Sequence, residues 1–166
     1  MRKACAFILL LLGCTAAASA QRSYGYWTIN NGGLSAGGRT AYQLGLNGGG
    51  EFAIRKGFSA GLEAGFTGDP RRNYGDSMLG MASVNGCYHA RPARDARLDP
   101  FVTMGYTLLF RSDTQNAFNW GAGLNWWVLR AAALRVEFRD HTWRHDPVRF
   151  HLWGIRAGVS FSSLWP

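Results

Sequence analysis

The feature that most constrains this chain is a strict two-residue alternation of apolar and polar side chains. In the stretch LRVEFRD, Leu134, Val136 and Phe138 alternate with Arg135, Glu137 and Arg139. A period of two is the pattern of a β-strand whose two faces meet different surroundings. In a soluble sheet the apolar face would pack on a core, whereas in a membrane barrel it would meet lipid and the charges would point into the lumen.

The same alternation recurs along the rest of the sequence. It predicts strands at residues 23–30, 43–54, 58–67, 77–90, 100–111, 117–128, 134–143 and 150–162. An even number of strands is what a closed antiparallel barrel needs, and most are near the ~9–11 residues that cross a bilayer. Strands of globular proteins are usually about 5–6 residues long. We therefore predict an all-β fold, an eight-stranded antiparallel up-and-down transmembrane β-barrel.

The two predicted faces differ sharply in composition. The apolar face carries twelve aromatic residues: Phe52, Phe58, Phe66, Tyr88, Tyr106, Phe110, Phe118, Trp120, Trp126, Phe138, Trp153 and Phe161. The polar face carries a set of charges that we predict form a lumen network: Glu51, Glu63, Arg111, Arg135, Glu137, Arg139 and Arg156. An eight-stranded barrel is just wide enough for side chains to fill it, and unpaired buried charge is costly. We expect these charges to pair and to leave no open pore.

A soluble periplasmic β-barrel that binds a hydrophobic ligand is the alternative. It would place the aromatic face inside and the charged face in water. A water-facing surface usually scatters Lys and Glu, but here Lys56 is the only lysine after the N-terminal segment. The composition therefore favours the membrane barrel.

The N-terminal segment has the features of a secretory signal peptide. Arg2 and Lys3 precede an apolar run, and the A-x-A sequence Ala18–Ala20 is a cleavage site. We predict a signal peptide at residues 1–20 and a barrel domain at residues 21–166. A lipobox at residues 11–14 competes, and it would place a lipid on Cys14. No later stretch resembles a transmembrane helix, so export would lead to strands in the outer membrane.

Several segments together resemble a known family. The hairpin GGGEFAIRKGFSAGLEAGF and the runs DPFVTMGYTLLF, FNWGAGLNWWV and WGIRAGVSF are similar to small bacterial outer-membrane β-barrel proteins related to the OmpA/OmpX transmembrane domain. The order and spacing of these segments, over most of residues 24–162, carry the resemblance. It implies recognition by the barrel-assembly machinery through a terminal aromatic residue, Phe161 or Trp165.

Residues with catalytic or metal-binding chemistry are few. His141, His145 and His151 fall at a predicted strand end and loop, so we interpret them as polar loop residues rather than zinc ligands. Cys87 and His89 share one strand face and are expected to pack together inside. Lipid A deacylases of the barrel type carry a His-x-Ser pair, which is absent from this sequence. We predict no catalysis, cofactor or metal, and keep a lipid A-modifying enzyme as a third alternative.

Exposed arginines are the predicted contacts with a partner. Arg71, Arg72, Arg144 and Arg149 fall in predicted extracellular loops, near residues 68–76 and 144–149, with two further loops near 32–40 and 112–116. Solvated loop charge is the simpler explanation of these side chains; the alternative is contact with lipopolysaccharide, because arginine binds phosphate well. Both termini and the turns at 55–57, 91–97 and 130–133 are expected in the periplasm. We predict a monomer with no nucleic-acid partner, since the arginines are dispersed.

Overall fold

A computed structural model describes residues 22–72, 77–90 and 96–162. The predicted signal peptide, Cys14, Trp165 and parts of two predicted connections lie outside these ranges. The described residues form eight strands: β1 (Tyr24–Ala36), β2 (Arg39–Arg55), β3 (Phe58–Gly68), β4 (Leu79–His89), β5 (Leu98–Phe110), β6 (Thr114–Trp127), β7 (Ala132–His145) and β8 (Val148–Ser162). Within these ranges, no helix is long and apolar enough to cross a membrane.

The strands close into a single antiparallel barrel in chain order. Each strand pairs with the next, and β1 pairs with β8, from Tyr24 opposite Ser162 to Ala36 opposite Phe150. Closure leaves no unpaired sheet edge, which is the condition for strands to lie in lipid. The predicted eight-stranded up-and-down architecture is confirmed.

Both ends of the barrel have short connections. The terminal end carries the start of β1, the end of β8 and the connections β2–β3, β4–β5 and β6–β7, and the loop end carries the other four connections. The predicted loop at 32–40 is wrong, because β1 runs on to Ala36 and only Gly37 and Gly38 form the turn. Both glycines have positive φ, 54° and 76°, which suits a two-residue hairpin. The predicted loop at 144–149 likewise shrinks to a turn at 146–147 between β7 and β8.

The outer surface of the barrel is apolar and aromatic. The aromatic side chains that were assigned to the apolar face are all exposed. One belt lies in the strand halves nearer the terminal end: Trp27, Phe52, Phe58, Tyr88, Trp126 and Phe161. A second belt lies in the halves nearer the loop end: Phe66, Tyr106, Phe110, Phe118, Trp120 and Trp153. Two aromatic belts around an apolar band are typical of a barrel that spans a bilayer, and a soluble cup would have this face inside.

The interior has three layers along the barrel axis. An apolar cluster at the terminal end contains Tyr24, Tyr26, Trp127 and Ala133. Another at the loop end contains Met81, Leu109, Ala117 and Leu152, with Leu34, Leu79 and Trp143 packed against it. Charged and amide side chains fill the space between these clusters. The charged layer therefore lies between two apolar clusters.

Candidate functional site

Six of the seven charged residues predicted for the lumen lie buried inside the barrel. They come from four strands: Glu51 on β2, Glu63 on β3, Arg135, Glu137 and Arg139 on β7, and Arg156 on β8. Strand alternation explains their direction, because each stands two or four residues from another inward-facing position. Three carboxylates and three guanidinium groups balance one another in charge.

The six side chains form a continuous ion-pair chain in which the sign of the charge alternates. Its order is Glu51, Arg135, Glu137, Arg139, Glu63 and Arg156. Arg135 Nη1 donates to Glu51 at 3.1 Å, and Arg135 Nη2 donates to Glu137 at 2.8 Å. Arg139 contacts the other oxygen of Glu137. These charge-assisted hydrogen bonds offset the desolvation of the buried groups.

The second half of the ion-pair chain is centred on Glu63. Its carboxylate accepts two hydrogen bonds from Arg156 Nη1, at 2.8 and 2.9 Å, and one from the Tyr26 hydroxyl at 2.8 Å. Arg139 Nη2 lies 3.9 Å from Glu63 and joins the two halves. The buried amide of Asn119 accepts from Arg139 at 2.7 Å. The side chains of this layer thus hold one another in fixed positions across the barrel.

Arg111 is not part of this cluster, so its predicted place in the lumen is wrong. β5 ends at Phe110, and Arg111 is exposed in the turn that follows. Its amide donates to the carbonyl oxygen of Asp113 within that turn. Alternation alone would direct residue 111 inward. However, the strand ends at Phe110, so the alternation does not extend to Arg111.

His89 lies at the centre of a second polar cluster, near the terminal end. Its Nδ1 donates to Asp99 at 2.9 Å, and its Nε2 lies 3.3 Å from Ser59 Oγ, which is the connectivity of a hydrolase triad. However, Glu51 Oε2 accepts from the same Nε2 at 3.0 Å and from Ser59 Oγ at 3.1 Å. Both ring nitrogens therefore face carboxylates, and neither is available to take a proton from Ser59. All four side chains are buried.

Cys87 and His89 both point into the barrel, but each has another partner. Cys87 Sγ donates to Thr103 Oγ1 at 3.4 Å, and His89 bonds Asp99 and Glu51. Sequence reasoning missed Asp99, because it placed the start of β5 after this residue. Among the residues that the structure describes, no three His, Cys, Asp or Glu side chains are grouped to hold a metal ion.

The histidines interpreted as loop residues lie on strands. His141 is buried in the interior, where Arg156 Nη2 donates to its Nε2 at 3.0 Å. His145 is exposed at the end of β7. His151 lies on β8 and faces outward, with its Nδ1 3.0 Å from Asp140 Oδ2. The loop interpretation is wrong for His145 because β7 extends two residues further than predicted, and it is wrong for His141 and His151 because both lie within β7 and β8, inside the strands that alternation predicted.

The four arginines predicted to meet a partner are all exposed at the loop end, in two separate places. Arg71 and Arg72 lie in the β3–β4 connection, where Arg71 stacks over Tyr42 at 5.1 Å and Arg72 lies 3.8 Å from Asp69. Arg144 and Arg149 are register partners on β7 and β8. Arg144 pairs with Asp146 at 2.7 Å.

Several solved structures share this fold. The N-terminal β-barrel domain of Pseudomonas aeruginosa OprF is 18% identical, with a TM-score of 0.60, over 87% of this chain and 99% of that one. Neisserial surface protein A is 11% identical, with a TM-score of 0.66, over 86% and 98% of the two chains. Ail of Yersinia pestis, crystallised with the heparin analogue sucrose octasulfate, is 13% identical, with a TM-score of 0.54, over 86% and 100%.

Family membership follows from a match along nearly the whole sequence. No curated protein matches the chain. Residues 6–161 match the family described as the outer membrane protein beta-barrel domain. This range includes every described strand except the last residue of β8. The chain belongs to the outer membrane protein β-barrel domain family, and it is a protein of the outer membrane.

Proposed function

We propose that this protein is a closed, monomeric outer-membrane barrel with a structural or surface-interaction role, and that it neither conducts solutes nor catalyses a reaction. Both termini lie in the periplasm after removal of residues 1–20, and the loop end faces outward. The observation that carries the proposal is the filled interior. The ion-pair chain from Glu51 to Arg156 occupies the middle of the lumen, between two apolar clusters.

The layered interior supports a closed state for a physical reason. An ion that entered would first have to pass an apolar cluster, and losing its hydration shell there would cost a large amount of free energy. It would then have to separate side chains that are already paired, such as Arg156 and Glu63. Each apolar cluster contains a large side chain that is almost fully buried. This side chain is Trp127 at the terminal end and Leu152 at the loop end.

The exposed arginines support a role at the cell surface. Arg71, Arg72, Arg144 and Arg149 would lie at the level of lipopolysaccharide phosphates when the loop end faces outward, and arginine binds phosphate in a bidentate manner. Ail, which shares the fold, takes a sulfated sugar in its crystal structure. An anionic glycolipid is the corresponding partner that we propose for the present chain. During biogenesis the barrel-assembly machinery is the expected partner.

Planar lipid bilayers test the closed state directly. The mature full-length chain, refolded and reconstituted, should give no stepwise conductance above that of protein-free bilayers, while a porin in parallel gives clear steps. Heat-modifiable migration on unboiled gels confirms that the reconstituted chain is folded. Reproducible conductance steps from the folded protein would overturn the proposal of a closed lumen.

A further inference from the structure

The outer surface of β7 and β8 carries a column of polar side chains at the loop end. Going down from the rim, the outward-facing register pairs are Arg144 with Arg149, then Thr142 with His151, then Asp140 with Trp153. Below them the apolar band begins with Phe138 and Ile155. The polar members Arg144, Arg149, Thr142, His151 and Asp140 are called the Asp140 column.

Asp140 is unusual for an outward-facing residue because it is only 7% exposed. Its Oδ2 accepts hydrogen bonds from His151 Nδ1 at 3.0 Å and from Thr142 Oγ1 at 3.3 Å. Its Oδ1 is buried and has no hydrogen-bond partner within the described part of the chain. Trp120 and Trp153 are its register partners on the two neighbouring strands. A buried carboxylate oxygen without a donor is costly, so this position calls for a donor from outside the chain.

The polar surface extends sideways onto β1 and β2 but not around the whole barrel. Trp153 Nε1 donates to Ser35 Oγ at 3.0 Å, and Ser35 lies 2.9 Å from Thr40 Oγ1. On β5 and β6, at the same end, the outward positions Leu108, Phe110 and Phe118 are apolar. The outward positions of β7 and β8 at this end therefore include charged side chains, whereas the outward positions of β5 and β6 at this end are uncharged.

We propose that the Asp140 column binds a phosphorylated glycolipid of the outer leaflet. Arg149 and Arg144 bind its phosphate, a sugar hydroxyl or acyl-amide N–H donates to Asp140 Oδ1, and its acyl chains lie along Phe138 and Ile155. Arg149 and Asp140 are four register positions apart, and a strand spacing of about 3.3 Å per residue puts them about 13 Å apart along the strands, which is the reach of a sugar headgroup. This inference rests on the proposed function, because it needs the loop end to face outward.

The column distinguishes a glycolipid from an ordinary anionic phospholipid. Phosphatidylglycerol supplies a phosphate for the arginines, but it has no amide N–H to place below the phosphate. The arginines alone would bind both lipids, since phosphate recognition by guanidinium needs only the charge and the planar donors. Asp140 adds a hydrogen bond to a charged acceptor, which is stronger than a neutral one.

The test compares two lipid probes on the folded full-length mature chain in detergent micelles. Hexa-acylated, bis-phosphorylated lipid A and phosphatidylglycerol are titrated separately, and binding is followed by native mass spectrometry. The wild type should prefer lipid A. Asp140→Ala should weaken lipid A binding about tenfold, the loss of one charge-assisted hydrogen bond, and leave phosphatidylglycerol binding unchanged. Arg149→Gln should weaken both lipids.

Arg111→Gln is the matched control, because Arg111 is an exposed arginine at the same end but lies in the β5–β6 turn, two strands away from the β7–β8 turn. It should change neither affinity. Heat-modifiable migration is checked for every variant. If Asp140→Ala does not fold, Asp140→Asn keeps the side-chain volume and should still lose preference for lipid A, because an amide is a weaker acceptor than a carboxylate.

The outcomes separate this inference from the proposed function. Unchanged lipid A binding in the folded Asp140 variant, with weaker binding in Arg149→Gln, would overturn the Asp140 column and leave a surface role through arginines intact. Absence of lipid A binding by the wild type would overturn the column as well, and with it the proposed glycolipid contact. Equal loss with Arg111→Gln would mean that binding follows total charge and not this column.

Discussion

Glu137 joins two buried arginines, and its substitution tests the energetics of the ion-pair chain. Arg135 donates to it at 2.8 and 3.0 Å, and Arg139 contacts its other oxygen. Glu137→Gln removes the charge but keeps the shape, so both buried arginines lose their shared counter-charge. Breaking a buried pair in this way costs about 3–5 kcal/mol. Urea unfolding in lipid vesicles should report a loss of stability of that size.

The control for this experiment is Asp113→Asn. Asp113 is an exposed carboxylate in the β5–β6 turn, so its substitution should change stability by less than about 0.5 kcal/mol. A Glu137→Gln protein as stable as the control would contradict the view that the ion-pair chain holds the interior together.

Which residues were predictable depends on where they stand in a strand. Glu137 and Arg135 lie in the middle of β7, where alternation fixes the face of every side chain. Arg111 lies just past the end of β5, and its position depends on where that strand stops, which hydropathy does not determine. Asp140 follows the outward parity of Phe138, but its burial depends on neighbouring strands that are distant in the sequence. No local pattern contains that information.

At the scale of the element, two outward positions on β6 can report how deep each part of the strand lies in the bilayer. Ala122 is exposed and outward near the middle of the strand, and Thr114 is exposed and outward at its loop-end rim. Arginine facing lipid costs about 2–4 kcal/mol at the bilayer midplane and ~0–1 near the interfaces. Ala122→Arg should therefore lower the free energy of unfolding in vesicles by about 2–4 kcal/mol, and Thr114→Arg should lower it by about 0–1 kcal/mol.

The two substitutions share one strand, one face and one added charge, so only depth differs between them. Equal costs would contradict a bilayer centred on the middle of β6. A cost for Thr114→Arg larger than that for Ala122→Arg would place the apolar band elsewhere on the barrel.

Element lengths were the part of the fold that sequence patterns described least well. The segment 32–40 is rich in glycine and lacks apolar alternation, so it resembles a loop. In the structure, residues 32–36 pair with both β2 and β8, because backbone hydrogen bonds hold a strand wherever neighbours lie on both sides. Gly32 lies against the Trp153 carbonyl, where an added Cβ would meet that oxygen at 2.0 Å. Glycine thus permits close approach of β1 and β8 and does not end the strand.

At the scale of the whole molecule, the fold inverts the arrangement of a soluble protein. Charged side chains form much of the interior, and large apolar side chains cover the outside. The composition of the two faces was sufficient to predict this inversion, since the chain has few lysines and many exposed-face aromatics. The two apolar clusters inside the barrel were not predicted, because finding them requires knowing which inward residues of different strands lie at the same level along the barrel axis.

Trp126 and Trp127 provide the most direct test of the face assignment. They are neighbours at the end of β6, yet Trp126 is 50% exposed on the outer surface and Trp127 is 4% exposed in the interior. Reconstitution in vesicles of lipids brominated on their acyl chains quenches tryptophans that contact lipid. Replacing Trp126 by Phe should lower the quenched fraction of the fluorescence, and replacing Trp127 by Phe should raise it. Equal changes, or the reverse order, would contradict a barrel with its aromatic face in lipid and its charges inside.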